Sequence, residues 1–279
     1  MKHIVITGAT GGVGGMLAKG LVQKGHYIIC LGRNRERLKE LVKDINAEGG
    51  SAGFEVADMM DVQGLTTAGE RIIQEYGRVD VWINNVGVNN HNAIGPTWEL
   101  EPEHWWTEVS LNLFTAFIGT QTAIKLMKKR NHGYILNLGG GGVQEPKAFG
   151  SAYGAAKTAL VKFTETVNME LEQEGLNIKT FAFNPGFIRN ARTEKLVESN
   201  VARTYMPKLE QILKYGKMSD IRDSLELIEV LISGKADRLG GKYFFADGSD
   251  IEEAIANRDA FVRESRNVLR VSVKGKSPP

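Results

Sequence analysis

The chain has 279 residues, a formal net charge of +2 and one cysteine, and hydrophobic residues make up 42% of it. This length suits one large domain with a tail, and the balanced charge gives no reason to expect nucleic acid or a membrane surface as a partner. Because Cys30 is the only cysteine, no internal disulfide can form and we expect a reducing, cytoplasmic location. The histidines and carboxylates lack metal-ligand spacing, so we expect no metal.

Short apolar runs alternate with longer segments of helical period along the first 250 residues. The predicted strands are Ile4–Thr7, Ile28–Leu31, Gly53–Ala57, Val79–Asn84, Tyr134–Leu138, Ile178–Phe183 and Tyr243–Ala246. The predicted helices are Gly12–Lys24, Arg35–Glu48, Gln63–Tyr76, Trp98–Arg130 with a break near Ser110, Ser151–Glu174 and Asp220–Ser233. This order predicts a single α/β domain of the Rossmann type over residues 1–250, with helices on both faces of a doubly wound, mostly parallel, seven-stranded sheet.

Two segments lie outside this alternation. Residues 190–217 are polar and lack strand character, which is typical of a mobile lid over a substrate site. Residues 251–279 form a C-terminal extension that the sheet does not obviously need. Within it, Ile251–Val262 is compatible with a helix, and we expect Lys274–Pro279 to be frayed.

A glycine-rich turn follows the first predicted strand. Gly8, Gly12 and Gly14 lie where the chain must turn sharply from that strand into the first helix. The start of a helix offers free N–H groups and a favourable dipole to an anion such as a pyrophosphate. The turn therefore predicts a dinucleotide site, and a tight strand-to-helix turn without a ligand is the alternative.

The end of the second strand bears on the choice of cofactor. It carries Arg33 and has no carboxylate where an NAD enzyme would bind the ribose 2′-hydroxyl, and a guanidinium can contact a 2′-phosphate. This favours NADP(H), while NAD(H) stays possible and Arg33 could instead pair with Glu36. Asp58, at the end of the third strand, could accept a hydrogen bond from an adenine amino group or could cap the next helix.

Tyr153 and Lys157 are four residues apart in a predicted helix, so both side chains project from one face. A neighbouring positive charge favours the phenolate, which predicts a tyrosine pKa below its ordinary value of about 10. Such a pair is suited to exchanging a proton with an alcohol or a carbonyl oxygen.

Together these motifs resemble the short-chain dehydrogenase/reductase family, up to about Gly248. The matching pieces are Thr7-Gly8-x-x-x-Gly12-x-Gly14, Asp58, Asn84-Asn85-Val86-Gly87, Asn112, Tyr153-x-x-x-Lys157 and Asn184-Pro185-Gly186. The resemblance implies that Tyr153 exchanges the proton, that Lys157 holds the nicotinamide ribose and lowers the pKa of Tyr153, and that the Asn112 region anchors a water. It also implies a homodimer or homotetramer built on the helices that hold Asn112 and Tyr153. The expected cofactor-binding residues are Gly8, Thr10, Gly12, Val13, Gly14, Arg33, Asp58, Met59, Asn85, Gly87, Tyr153, Lys157, Pro185, Gly186, Ile188 and Asn190.

Three positions depart from the family pattern. Val86 replaces an alanine, Asn190 replaces a threonine that binds the nicotinamide carboxamide, and Gly140 replaces the serine that polarises the substrate carbonyl. Losing such a donor typically costs about 10² to 10³ in rate where the site depends on it. Backbone N–H groups of Gly139–Gly142, a substrate hydroxyl or Ser151 could substitute, although Ser151 is expected to cap its helix. The glycine run could also be only a flexible turn.

The sequence thus predicts an NADP(H)-dependent oxidoreductase that transfers a hydride between nicotinamide and a carbonyl or alcohol carbon of a small substrate. The loop Val88–Asn92, with Gln144, Glu145, Phe149 and Phe187, suggests a polar substrate, unless the asparagines only form turns. A cofactor-binding regulatory or assembly protein with little turnover is the alternative that Gly140 raises.

Overall fold

In a computed structural model, which describes residues 1–248 and 250–271, seven strands form one sheet. The strands are β1 (His3–Thr7), β2 (Tyr27–Gly32), β3 (Ala52–Val56), β4 (Val81–Asn84), β5 (Gly133–Leu138), β6 (Ile178–Asn184) and β7 (Tyr243–Phe245). Their order is β3-β2-β1-β4-β5-β6-β7 and each neighbouring pair is parallel. The predicted Rossmann-type fold is confirmed.

Most helices connect successive strands and lie on both faces of this sheet, and the last two follow β7. They are α1 (Gly12–Gln23), α2 (Arg35–Ala47), α3 (Val62–Tyr76), α4 (Pro102–Val109), α5 (Thr115–Lys128), α6 (Ser151–Gln173), α7 (Ala191–Glu198), α8 (Asn200–Tyr205), α9 (Pro207–Tyr215), α10 (Ile221–Leu231), α11 (Ile251–Ala256) and α12 (Arg258–Arg263).

Alternating side chains of the strands separate the core into two large hydrophobic clusters. In β1, Ile4 and Ile6 enter the cluster under α1, α2 and α10, whereas Val5 enters the cluster under α3 and α5. All three are fully buried. Because both faces of the strands are covered, the strands read as continuous apolar runs in the sequence.

The long helix predicted from Trp98 to Arg130 differs from the structure in two ways. α4 begins only at Pro102, whose fixed φ and missing N–H suit the first position of a helix, and Trp98 lies in a short 3₁₀ turn before it. At the expected break near Ser110 the helix does not stop. It widens into a π-helical turn over Ser110–Phe114 and continues as α5.

The polar segment predicted as a lid folds into the three short helices α7, α8 and α9. The extension is packed into the domain as far as Arg270, whose guanidinium pairs with Glu165. Phe261 is fully buried in the first cluster, and the Tyr243 N–H donates to the Asn267 carbonyl at 2.9 Å. The extension therefore covers the edge of the sheet at β7, while the frayed end predicted over Lys274–Pro279 lies outside the described residues.

Candidate active site

The crevice lies where β1 and β4 end side by side, at the point where the strand order reverses. Asn85 joins the two strand ends. Its backbone N–H donates to Thr7 Oγ1 at 3.0 Å, and its Nδ2 donates to the Thr7 carbonyl at 2.9 Å. Ligands of open α/β sheets bind at such a switch point.

The glycine turn is closely packed. Gly8 has a φ of +62°, and a Cβ on Gly14 would lie 2.5 Å from the Gly8 carbonyl oxygen and 2.6 Å from Asn85 Nδ2. α1 starts at Gly12 with no side-chain cap and no acidic residue in its first turn. The starts of α2, α3 and α10 are instead capped by the side chains of Asn34, Asp61 and Asp220. The uncapped N–H groups of α1 can bind an anion, so this turn fits the pyrophosphate of a dinucleotide.

Four of the expected cofactor-binding residues lie in the glycine turn or directly after β3. Thr10 is half-buried in the turn, and Val13 packs against the first hydrophobic cluster. The Met59 side chain is buried in the second cluster, so only its backbone can face the crevice. Asp58 Oδ1 accepts a hydrogen bond from the Met60 N–H at 2.9 Å, and Asp61 caps α3. The cap alternative for Asp58 is therefore wrong.

Arg33 projects from the end of β2 with 74% of its side chain exposed. Its partner is Asp58, with an N–O distance of 3.6 Å, and not Glu36 as the sequence alternative held. A contact this long and exposed is weak, so the guanidinium can turn toward a phosphate at little cost.

Asn112 lies in the π-helical turn and is fully buried. Its Nδ2 donates to the carbonyls of Val88 at 2.7 Å and Glu108 at 2.9 Å, and its Oδ1 accepts from the Val88 N–H at 3.2 Å. A Cβ on Gly87 would lie 2.8 Å from Asn112 Oδ1 and 3.2 Å from Lys157 Nζ. The π turn thus brings Asn112 and Lys157 together against the end of β4.

Tyr153 and Lys157 share one face of α6, as predicted. Lys157 Nζ lies 5.7 Å from the centroid of the Tyr153 ring and donates to the Leu138 carbonyl at 2.7 Å. Lys157 is buried, with only 3% of its surface exposed. The end of β5 therefore fixes the ammonium beside the phenol.

The predicted lowering of the Tyr153 pKa is wrong for this structure. Burial of the phenol, followed by the negative charge of Glu108, raises the pKa of Tyr153 to about 12. Burial also lowers the pKa of Lys157 to about 8, although the Glu108 carboxylate opposes this shift. The penalty for removing a phenolate from water exceeds the benefit of a nearby ammonium.

The space at position 140, where the family carries a serine, is filled by Tyr153. A Cβ on Gly140 would overlap Tyr153 Oη and would lie 3.0 Å from Cζ. Ser151 does not substitute for that serine and does not cap α6, because its Oγ accepts hydrogen bonds from Trp105 Nε1 at 3.0 Å and from Thr97 Oγ1 at 3.2 Å. The expected cap role of Ser151 is therefore wrong.

The residues after β6 lead from the crevice into the predicted lid. Pro185 and Ile188 are buried, and Gly186 has a φ of +77° where a Cβ would overlap the Ser219 side chain. Asn190 caps α7 through Oδ1, which accepts from the N–H groups of Arg192 at 3.0 Å and Thr193 at 3.2 Å.

The start of α7 lies directly over the glycine turn. A Cβ on Gly12 would lie 2.6 Å from the Asn190 Cβ, and Arg192 Nη1 donates to the Gly87 carbonyl at 2.8 Å. The predicted contact of Asn190 with the cofactor stays a prediction, since its amide is already engaged in the helix cap.

Three residues of the site were not identified from the sequence. Arg192 joins the lid to the strand end, Glu108 lies one turn before Asn112 with 1% of its surface exposed, and Lys147 Nζ lies 4.8 Å from the Tyr153 ring centroid. A charged residue at a core position of α4 was the one available signal, because Glu is almost never fully buried without a partner.

The geometry describes a nicotinamide-dependent oxidoreductase site at the switch point of a Rossmann-type sheet, and comparison with known proteins agrees. The family model described as short chain dehydrogenase matches residues 2–201, and the chain belongs to this family. Members of this family are oxidoreductases that act on alcohol and carbonyl groups with NAD(P)(H).

Two curated relatives and one solved structure cover most of the chain. The chain is 29% identical over 249 residues to the 3-oxoacyl-acyl-carrier-protein reductase of Thermotoga maritima, covering 88% of this chain and 96% of the relative. It is also 29% identical over 255 residues to the 2,3-dihydro-2,3-dihydroxybenzoate dehydrogenase of Bacillus subtilis, covering 88% and 95%. A gluconate 5-dehydrogenase from Burkholderia cenocepacia, solved with NADP and tartrate, superposes with a TM-score of 0.77 at 23% identity, covering 88% of this chain and 92% of that one. This structural likeness supports the fold.

Proposed function

We propose that the protein is an NADP(H)-dependent oxidoreductase that transfers a hydride between nicotinamide and a carbonyl or alcohol carbon of a small, polar substrate. The observation that carries this proposal is the meeting of Tyr153, Lys157 and Asn112 at the ends of β4 and β5, beside a glycine turn that fits a pyrophosphate. NADP(H), when bound, supplies or accepts the hydride.

Arg33 supports NADP(H) as the cofactor. Arg33 directly follows β2, and the end of this strand carries no carboxylate. Because the contact of Arg33 with Asp58 is weak, the guanidinium is able to bind a 2′-phosphate. The gluconate 5-dehydrogenase that superposes on the chain was solved with NADP, and a xylitol dehydrogenase of the same fold was solved with NAD⁺. NAD(H) is therefore the alternative that a cofactor titration distinguishes.

Tyr153 is the proposed proton-exchanging group. Because burial and Glu108 raise its pKa to about 12, the phenol is protonated at neutral pH. A protonated phenol can donate a proton to an oxygen that gains charge, as carbonyl reduction requires. Lys157, with a pKa of about 8, keeps its positive charge at neutral pH and is held at the Leu138 carbonyl.

The polar character of the substrate is supported by unpaired acceptors on Glu108 and in the loop Val88–Asn92. In the described part of the chain, Glu108 Oε1 and Asn89 Oδ1 are buried and have no hydrogen-bond partner. Buried acceptors without partners are costly, so a substrate that carries hydroxyl groups or another donor would satisfy them.

The assembly and location are also proposals. Three large apolar side chains are exposed: Phe114 in the π turn, Phe117 on α5 and Met169 on α6. Their exposure supports a homodimer or homotetramer built on these helices. Light scattering after gel filtration tests this, and a monomer at micromolar concentration would contradict it. No helix within residues 1–248 and 250–271 is long and apolar enough to cross a membrane, and the cytoplasmic location stays a prediction.

The proposed function is tested by following NADPH oxidation over a panel of aliphatic ketones, β-keto esters, keto-sugar acids and steroid ketones. We expect turnover of the polar members, and we expect Tyr153→Phe to lower kcat by about 10² to 10⁴ with unchanged NADPH affinity. Turnover of the apolar ketones alone would contradict the substrate class. Tight NADPH binding without any Tyr153-dependent rate would instead support the cofactor-binding protein with little turnover.

A further inference from the structure

The glycine at position 140, where the family carries a serine, does not leave an empty space. Tyr153 Oη occupies the space that a side chain at Gly140 would need, so no side-chain donor at this position can share the site with the present tyrosine position. The Gly139 N–H donates to the Phe183 carbonyl at 2.7 Å, so this donor of the glycine run is already engaged. A side-chain donor to the reacting oxygen must therefore come from another position.

Lys147 reaches the site from the loop between β5 and α6. Its Nζ lies 4.8 Å from the centroid of the Tyr153 ring, on the aromatic face. Its Cε and the Cε of Met206 each lie 2.9 Å from the place where Gly150 would carry a Cβ, so the lysine stem runs between that glycine and the lid. Among the described residues Lys147 Nζ has no hydrogen bond or ion pair, which leaves all three N–H donors to a ligand.

Glu108 provides the opposite charge. Its Oε2 accepts a hydrogen bond from the Asn90 N–H at 2.6 Å, while its buried Oε1 has no partner among the described residues. The charged or titratable groups that act on Lys147 are Glu108 from α4 and Tyr153 from α6. Burial lowers the pKa of Lys147, and the Glu108 carboxylate acts against this shift and favours the ammonium.

We propose that Lys147 is a catalytic residue that donates a charge-assisted hydrogen bond to the reacting oxygen, in place of the missing serine, and that Glu108 is its positioning residue. The inference rests on the proposed function. In reduction the carbonyl carbon gains a hydride and its oxygen gains negative charge. Tyr153 gives its proton to that oxygen, and Lys147 keeps its own protons while it stabilises the charge. Charge-assisted hydrogen bonds are about twice as strong as neutral ones, so an ammonium can replace a hydroxyl here.

The kinetic test compares Lys147→Met, Lys147→Arg and the lid variant Lys195→Met on a neutral β-keto ester and on a keto acid. We expect Lys147→Met to lower kcat by about 10² to 10³ on both substrates, with NADPH affinity unchanged within about twofold. Lys147→Arg keeps the charge and should retain more of the rate, and exposed Lys195 serves as the matched control. An unchanged kcat would overturn the proposal. A higher KM for the keto acid alone would also overturn it, since that result describes an anchor for a carboxylate.

A second readout does not depend on turnover. The protein is labelled with ¹³C-dimethyl groups on its lysines, and the Lys147 signal is identified by its absence in Lys147→Arg. We expect the pKa of Lys147 to lie below its ordinary value of 10.5, and to fall further in Glu108→Gln, because the carboxylate no longer favours the ammonium. An ordinary Lys147 pKa in both proteins would overturn the pairing. Failure of the proposed function would appear differently, as full activity in Tyr153→Phe or as no turnover in the wild type with this titration intact.

Discussion

At the end of β1 the crevice is lined by backbone atoms, whereas at the end of β5 it is lined by side chains. Gly8, Gly12 and Gly14 bring N–H groups and the start of α1 to the proposed cofactor end, and their contacts leave no room for a Cβ at Gly14. At the substrate end, Tyr153 fills the space over Gly140, and Glu108 and Lys147 come from separate elements. A site built from backbone depends on local spacing, and a site built from side chains depends on the whole fold.

The sharpest test of this contrast exchanges Gly140. We expect Gly140→Ala and Gly140→Ser each to lower kcat by about 10² or more, because a Cβ would displace the Tyr153 hydroxyl and small misplacements of reacting groups are costly. Gly141→Ala is the matched control, since its Cβ would meet nothing within 4 Å. Steady-state kinetics decides. A gain in rate with Gly140→Ser would show that the glycine is a defect and not an adaptation.

The same contrast explains what the sequence could predict. The sheet, its order of elements and the glycine turn follow from apolar runs and glycine spacing, which are local features. The pKa of Tyr153 was predicted in the wrong direction because its main determinant, burial, is a property of the packed core. Glu108 and Lys147 are 39 positions apart in the chain, and nothing local indicates that both face one phenol. The π-helical turn that directs Asn112 was visible only as a break.

One methyl group added at Gly14 should disrupt the proposed cofactor end. Gly14→Ala should weaken NADPH binding roughly 10- to 100-fold, because a Cβ 2.5 Å from the Gly8 carbonyl forces the turn open. Gly15→Ala is the control in the same helix, where the nearest atom would be 3.4 Å away. Fluorescence titration with NADPH measures both. Equal affinities in the two variants would contradict the backbone-built site.

The proposed preference for NADP(H) rests on one side chain at this end. We expect Arg33→Ala to weaken NADPH binding by about tenfold and to leave NADH binding unchanged, since the exposed guanidinium contributes a partly screened contact. Asp58→Asn should strengthen NADPH binding slightly by releasing Arg33. Arg37→Ala, an exposed position in α2, is the control. An equal loss of NADPH and NADH affinity in Arg33→Ala would argue against 2′-phosphate recognition.

The smallest expected effect concerns stability at the substrate end. Burial raises the pKa of Glu108 from its ordinary 4.5 to about 7, so the folded state holds the proton more tightly than the unfolded state. The stability contribution of Glu108 is complete below pH 4.5 and is lost as the pH rises to about 7. The change in Tm that Glu108→Gln causes should therefore be more positive at pH 8 than at pH 4.5, by several degrees. A difference of about 1 kcal/mol in the free energy of unfolding corresponds to roughly 2–4 °C. Exposed Glu103 in the same helix supplies the control variant Glu103→Gln. A change in Tm that is the same at both pH values would contradict a buried, titrating carboxylate.

The central claim is that this crevice moves a hydride and a proton in one encounter, with Tyr153 as the proton donor. The test uses NADPH that carries deuterium at both C4 positions, with a β-keto ester as the substrate, followed by mass spectrometry of the product alcohol. We expect one deuterium on the carbinol carbon for the wild type and a rate lower by about 10² to 10⁴ for Tyr153→Phe, which still binds NADPH. Deuterium transfer at the wild-type rate in Tyr153→Phe would contradict it, as would NADPH consumption without deuterium in the product.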